Sequence, residues 1–130
     1  MGGIDIAQYR GDNFKGLGYP PLKTWEDKRG GEALAAYILV RVELTDPEQY
    51  KKYTQETPAV IAQYGGKFIV RGGPIENMEG PEETARIVIL EFPTMDDAKR
   101  FYHSEEYQRV RLLREGAAQV QLFAIDGYKG

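Results

Sequence analysis

From Tyr37 onward the chain alternates between short apolar runs and helical spacings. Tyr37-Ile38-Leu39-Val40-Arg41-Val42-Glu43-Leu44 is rich in β-branched and aromatic residues and reads as a strand. Asp46-Pro47-Glu48-Gln49 then opens a helix. Asp46 caps it, Pro47 takes the first helical position and Gln49 completes a capping box. Tyr50, Tyr53, Thr57, Ile61 and Tyr64 follow at helical spacing. Pro58 is expected to bend or interrupt this helix, and Gly65-Gly66 to end it. Lys67-Phe68-Ile69-Val70-Arg71-Gly72-Gly73 is a second strand, and Glu76 to Glu83 a charged turn around Gly80-Pro81. Thr84 to Phe92 is a third strand, and its apolar run Ile87-Val88-Ile89-Leu90 marks it as central. Thr94 caps a second helix with Ala98, Phe101 and Tyr102 on its apolar face. Ser104 restarts that helix, Tyr107, Val110 and Leu113 continue the face, and Gly116 closes it. Gln119 to Asp126 is the fourth strand.

The order is βαββαβ, repeated weakly at a spacing of about fifty residues, which is the split βαβ or ferredoxin-like pattern. The predicted fold class is therefore α+β: a four-stranded antiparallel sheet with two helices on one face. Strands one and three are apolar on both sides, so the uncovered face is predicted to carry an apolar patch of the kind that marks an interface. A symmetric homodimer with two sheets face to face is the economical way to cover it.

Composition narrows the chemistry. The chain has 130 residues, enough for one domain with an extension. Its 17 basic against 20 acidic residues give a net charge of −3, which disfavours a nucleic-acid binder. No apolar run approaches the roughly 20 residues that span a bilayer, so no membrane partner is expected and the location is expected to be cytoplasmic. Cysteine is absent, which removes disulfides, thiolate nucleophiles and Cys-based metal sites. The single histidine, His103, leaves one imidazole and no multi-histidine metal site.

Residues 1–35 differ from residues 36–130, and the chain is expected to divide there into an N-terminal arm and a folded domain. The arm is rich in glycine and has the Pro20-Pro21 pair, yet it carries Tyr9, Phe14, Tyr19 and Trp25. Disordered arms are usually poor in aromatics, so part of it is expected to dock, on its own domain or on a partner subunit. The start Met-Gly-Gly-Ile-Asp-Ile lacks a basic stretch and a long apolar run, so no secretory signal is expected.

Three separated motifs together resemble a known family. The first is Gly65-Gly66-Lys67-Phe68-Ile69-Val70-Arg71-Gly72-Gly73 with Glu76 and Gly80. The second is Glu91-Phe92-Pro93-Thr94 with Ala98, then Phe101-Tyr102-His103-Ser104-Glu105-Glu106-Tyr107-Gln108 and Arg114. The third is Asp126-Gly127. Over residues 36–128 the chain resembles the domain-of-unknown-function family 1330 of the dimeric α/β-barrel superfamily. The resemblance implies a ferredoxin-like protomer and a homodimer closed through its sheets. It implies no particular reaction, because related groups include cofactor-free monooxygenases, isomerases, cyclases and heme enzymes, and fold does not choose among them.

Candidate site residues follow from residue chemistry. Arg71 ends an apolar strand before Gly72-Gly73. Its guanidinium either holds a substrate carboxylate or enolate or pairs structurally with Glu76 or Glu91. The two glycines allow close approach of a ligand or of neighbouring backbone. His103 is either a general base, an axial heme ligand, or a helix-junction residue bonded locally. Tyr107 and Arg114 share a helix face with Ser104. Tyr107 either donates to a substrate oxygen or packs in the core, and Arg114 either neutralises an anion or pairs with Glu115. Tyr53 is the first-helix tyrosine best placed to line a cavity.

The leading expectation is a cofactor-independent enzyme that moves a proton beside a carbonyl, as in isomerisation or cyclisation of a small carbonyl or carboxylate compound. Arg71 would stabilise the anion, His103 or Glu76 would act as base, and Tyr107 would orient the substrate. Tyr53, Gly72, Gly73, Ser104 and Arg114 would complete the binding site. No metal and no cofactor are expected, a monooxygenase-like or other oxygenase-type enzyme, or heme bound through His103, being the remoter alternatives. A second reading is a ligand-binding or assembly module whose arm, residues 1–35, docks on a protein partner or builds a higher oligomer.

Overall fold

The computed structural model describes residues 34–129. The arm proper, with its four aromatics and the docking role expected of it, lies outside the described residues. The described chain runs β1 (Ala36–Leu44), α1 (Pro47–Gln63), β2 (Lys67–Arg71), β3 (Arg86–Phe92), α2 (Met95–His103), α3 (Glu105–Arg111), a 3₁₀ turn (Leu112–Arg114) and β4 (Ala118–Asp126). The four strands form one antiparallel sheet in the order β2-β3-β1-β4. The two apolar strands β1 and β3 are thus the central ones, since each needs apolar cover on more than one side.

Local chemistry sets the helix ends. Asp46 accepts from the Gln49 N–H at 3.1 Å, and Thr94 accepts from the Asp97 N–H at 3.1 Å, which satisfies first-turn donors of α1 and α2. Gly65, at φ +82°, lets the chain leave α1 in a Schellman turn. Its N–H bonds Ala62 O at 3.0 Å, and the Gly66 N–H bonds Ile61 O at 2.9 Å. Ser104 joins α2 to α3. Its hydroxyl donates to Phe101 O at 2.8 Å and accepts from the Tyr107 N–H at 3.0 Å.

Of the two effects expected of Pro58, the interruption does not occur; α1 continues through it to Gln63. Proline removes one donor there, to the Thr54 carbonyl. The buried residues Tyr50, Thr57, Val60 and Ile61 lie on both sides of Pro58 and anchor α1 to the sheet. Packing outweighs the lost hydrogen bond.

The core lies between helices and sheet. Even-numbered side chains of β1 and β3 (Ile38, Val40, Val42, Val88, Leu90 and Phe92) are buried against Ile61, Ala98, Phe101 and Tyr107. Odd-numbered positions face the other way. Across the cross-strand row Phe123–Leu39–Ile89, Phe123 is 43% exposed. With Ile125 at 51% and Ile69 at 47%, these form the uncovered apolar face that the alternation predicts.

Candidate functional site

The sequence of β2 alternates simply, and simple alternation turns Phe68 toward the helices and Arg71 away from them. The pairing with β3 overrides this. Lys67 pairs Glu91 and Phe68 pairs Leu90, but Val70 then pairs Ile89 and Arg71 pairs Val88. Ile69 is one extra residue in the strand, a β-bulge. It returns Arg71 to the helix-covered side, the side of Phe68 and Val88. The Arg71 guanidinium carbon stands 4.1 Å from the Phe68 ring centroid, a cation–π contact. Neither carboxylate proposed from sequence as its structural partner takes it. Glu91 instead meets Lys67 at 3.4 Å and the Tyr37 hydroxyl at 3.2 Å, and Glu76 is exposed.

Arg71 lies at the edge of a cavity between α1, α3 and the sheet. Its enclosed part measures about 40 Å³, and the empty space reaching out through the mouth about 490 Å³. The enclosed part has room for a few waters or for one end of a small guest. Phe68, Val88, Leu90 and Phe101 supply apolar walls, and Tyr50, Tyr53, Thr54 and Tyr107 supply hydroxyls. Among the described residues no carboxylate and no imidazole lines it.

Tyr53 and Tyr107 meet in this wall, hydroxyl to hydroxyl, at 2.7 Å. Tyr107 is wholly buried, its ring tilted against Phe101 at 4.5 Å and edge-on to Tyr53 at 6.3 Å. Burial, and then the neighbouring Tyr107 oxygen, push the Tyr53 hydroxyl above its ordinary value, so it is a hydrogen-bonding group and not a phenolate at neutral pH. The Arg114 guanidinium carbon lies 5.3 Å from the Tyr53 ring centroid. Burial pulls Arg114 down, while the Tyr107 and Tyr53 hydroxyls more than offset this and raise it. Arg114 makes no ion pair with Glu115.

The sequence-derived set divides here. Arg71, Tyr53 and Tyr107 line one cavity, Gly72 borders it through Arg86, and Arg114 backs it. The expected bases do not join them. His103 is exposed at the α2–α3 junction, its ring edge-on to Tyr102 at 5.2 Å, and the cavity has no imidazole to offer a heme. Glu76 sits in the exposed loop after β2. Ser104 spends both hydrogen-bonding functions on the helix junction. Gly73 borders open space. Arg86 is the residue that the motifs missed. It lines the cavity, and the signal lies in the two-residue period of β3, which aligns Arg86 with Val88, Leu90 and Phe92.

Sheet, helices and cavity define a ferredoxin-like α+β protein with an aromatic, cationic pocket. Residues 35–128 match the family described as "Domain of unknown function (DUF1330)", and the chain belongs to that family. No curated protein matches the chain in sequence. Among solved structures, it is similar to a protein of unknown function from Rhodopseudomonas palustris. That likeness has a TM-score of 0.62 at 21% identity, over 85% of this chain and 96% of that one. It is also similar to SnoaB, a cofactor-independent oxygenase from Streptomyces nogalater, with a TM-score of 0.54 at 12% identity, over 75% and 97%. At these identities the likeness concerns the fold. Among the described residues no helix is long and apolar enough to cross a membrane.

Proposed function

We propose that the protein is a cofactor-independent enzyme that stabilises an enolate or related carbanion of a small anionic carbonyl compound. The observation that carries this reading is the direction of Arg71, turned by the Ile69 bulge into an aromatic cavity that no carboxylate lines among the described residues. A guanidinium held in place at a cavity edge and aimed at developing negative charge stabilises it without the reorganisation that water requires. Of the two tyrosine hydroxyls, one donates to the other, which leaves one proton to orient the substrate carbonyl. His103 and Glu76 play no part in this version, and the substrate proton leaves through water at the mouth. SnoaB, similar in fold, is described as working without a cofactor, which agrees with chemistry run on side chains alone.

The uncovered sheet face belongs to the same reading. A second copy of the chain placed face to face would bury Leu39, Ile89, Phe123 and Ile125. Light scattering should give a dimer mass for the purified protein and a monomer mass for Leu39→Glu.

The enzymatic reading is tested by deuterium exchange. The full chain is incubated in D₂O with a panel of small keto acids, and loss of the proton α to the ketone, beyond that in enzyme-free controls, is followed by NMR. The expected result is enzyme-dependent exchange of at least one compound, slowed about 10²-fold or more in Arg71→Gln and unchanged in His103→Ala. Exchange that Arg71→Gln leaves intact, or exchange abolished by His103→Ala, overturns it.

A further inference from the structure

Arg86 gives the cavity a second cation, and its position is built with care. It lies on the helix-covered face at the start of β3, opposite Val42. Arg71, opposite Val88, shares that face on the neighbouring strand. Gly72 stands between them at φ +72°. A Cβ there would collide with the Arg86 guanidinium at Nη1 and Cζ, so the missing side chain is the space that the guanidinium occupies. The Gly72 N–H bonds Ile87 O at 2.8 Å and fixes this seat beside Arg71.

Among the described residues the charges at this cavity do not balance. Arg71 and Arg86 line the cavity, Arg114 backs it, and its Nε is buried without a hydrogen-bond partner among the described residues. Among the described residues none of the three forms an ion pair. Like charges on adjacent strands of one face repel, and an anion placed between them relieves that repulsion. One monoanion satisfies one guanidinium fork and leaves the other unmatched.

We propose that Arg71 and Arg86 form a two-guanidinium clamp for a small dicarboxylate whose two carboxylates lie close together on an apolar or aromatic body. Each guanidinium takes one carboxylate through paired N–H donors, and the body rests on Phe68 and Tyr50. This inference depends on the cavity being an anionic-substrate site and narrows its substrate class. Inorganic phosphate would balance the charge equally well, but it brings no apolar surface to the aromatic walls.

The test is calorimetric titration of the full chain at one ionic strength with phthalate, benzoate and inorganic phosphate. Wild type, Arg71→Gln, Arg86→Gln and Gly72→Ala are compared, with thermal melts confirming that each variant is folded. Wild type is expected to bind phthalate about tenfold or more tightly than benzoate. Arg86→Gln should reduce phthalate to the benzoate affinity while benzoate changes by less than about twofold. Gly72→Ala, which displaces Arg86, should weaken phthalate in the same way. Equal affinities in wild type, or a preference that survives Arg86→Gln, overturns the clamp. Phosphate bound in preference to phthalate overturns the dicarboxylate. If phthalate binds no more tightly than benzoate and only Arg71→Gln weakens them, the clamp fails and the single-anion site stands. If no anion binds to wild type, both fail.

Discussion

The hydroxyls of Tyr53 on α1 and Tyr107 on α3 lie 2.7 Å apart, joining positions 54 residues distant in the chain. The contact ties two helices together and forms part of the cavity wall, so it bears on stability and on binding at once. Tyr107→Phe removes one hydroxyl and keeps the ring, and is expected to cost about 0.5–1.5 kcal/mol. Tyr107→Ala also empties a wholly buried site and should cost about 3–5 kcal/mol. Urea midpoints, read at constant m-value, separate the two.

The same pair predicts behaviour at alkaline pH. Burial raises the folded-state value of Tyr53 above its ordinary one. The unfolded chain therefore gives up this proton first, so the stabilisation is complete below about pH 10 and is lost as pH rises. A stability profile from pH 8 to 12 should fall more steeply for wild type than for Tyr53→Phe.

At acid pH the sensitive point is Glu83. The Arg41 guanidinium, bonded through Nε at 3.1 Å, holds the Glu83 carboxyl down at about 2, helped by the Ala85 N–H at 3.0 Å. A depressed value means that the contribution is complete above the unfolded value of about 4.5 and is lost as pH falls toward 2. Glu83 anchors the end of the loop between β2 and β3. Amide exchange in residues 74–85 should therefore accelerate between pH 4 and 2 relative to the central strands, and Arg41→Met should show fast exchange already at pH 6.

Gly66 tests the packing between α1 and the sheet. A Cβ there would stand 2.5 Å from Phe92 Cε1 and 2.9 Å from Ile61 Cγ2, both in the core. Gly66→Ala is expected to destabilise by about 1–3 kcal/mol through overpacking. An unchanged denaturation midpoint would mean that Phe92 has somewhere else to go.

The α2–α3 junction separates a structural residue from a bystander. Ser104→Ala loses the cap that receives the Tyr107 N–H and should cost about 0.5–2 kcal/mol. The adjacent His103→Ala, at an exposed position, should stay within about 0.5 kcal/mol. Paired thermal melts check both.

Element order, strand centrality and helix caps were legible in the sequence because each rests on local chemistry: Asp46, Thr94, Ser104 and Gly65 act within a few residues of themselves. Pro58 does not interrupt its helix because tertiary packing of Val60 and Ile61 carries the helix past it. The site was legible in part. Arg71, Tyr53 and Tyr107 were recognisable as polar groups on apolar elements. His103 and Glu76 were attractive for their chemistry alone, and residue type does not say which way a side chain faces. Arg86 carries no motif, and its role depends on a glycine in the adjoining strand end.

The bulge at Ile69 makes direction a matter of parity. One residue more or less between Phe68 and Gly72 would leave composition and strand propensity almost unchanged. It would nevertheless move the Arg71 charge from the pocket to the opposite, apolar side of the sheet. On the proposed reading, ligand charge is thus encoded by a count of residues as much as by their kind. A chain of the same fold without the extra residue would have to bring a cation to the pocket from another position.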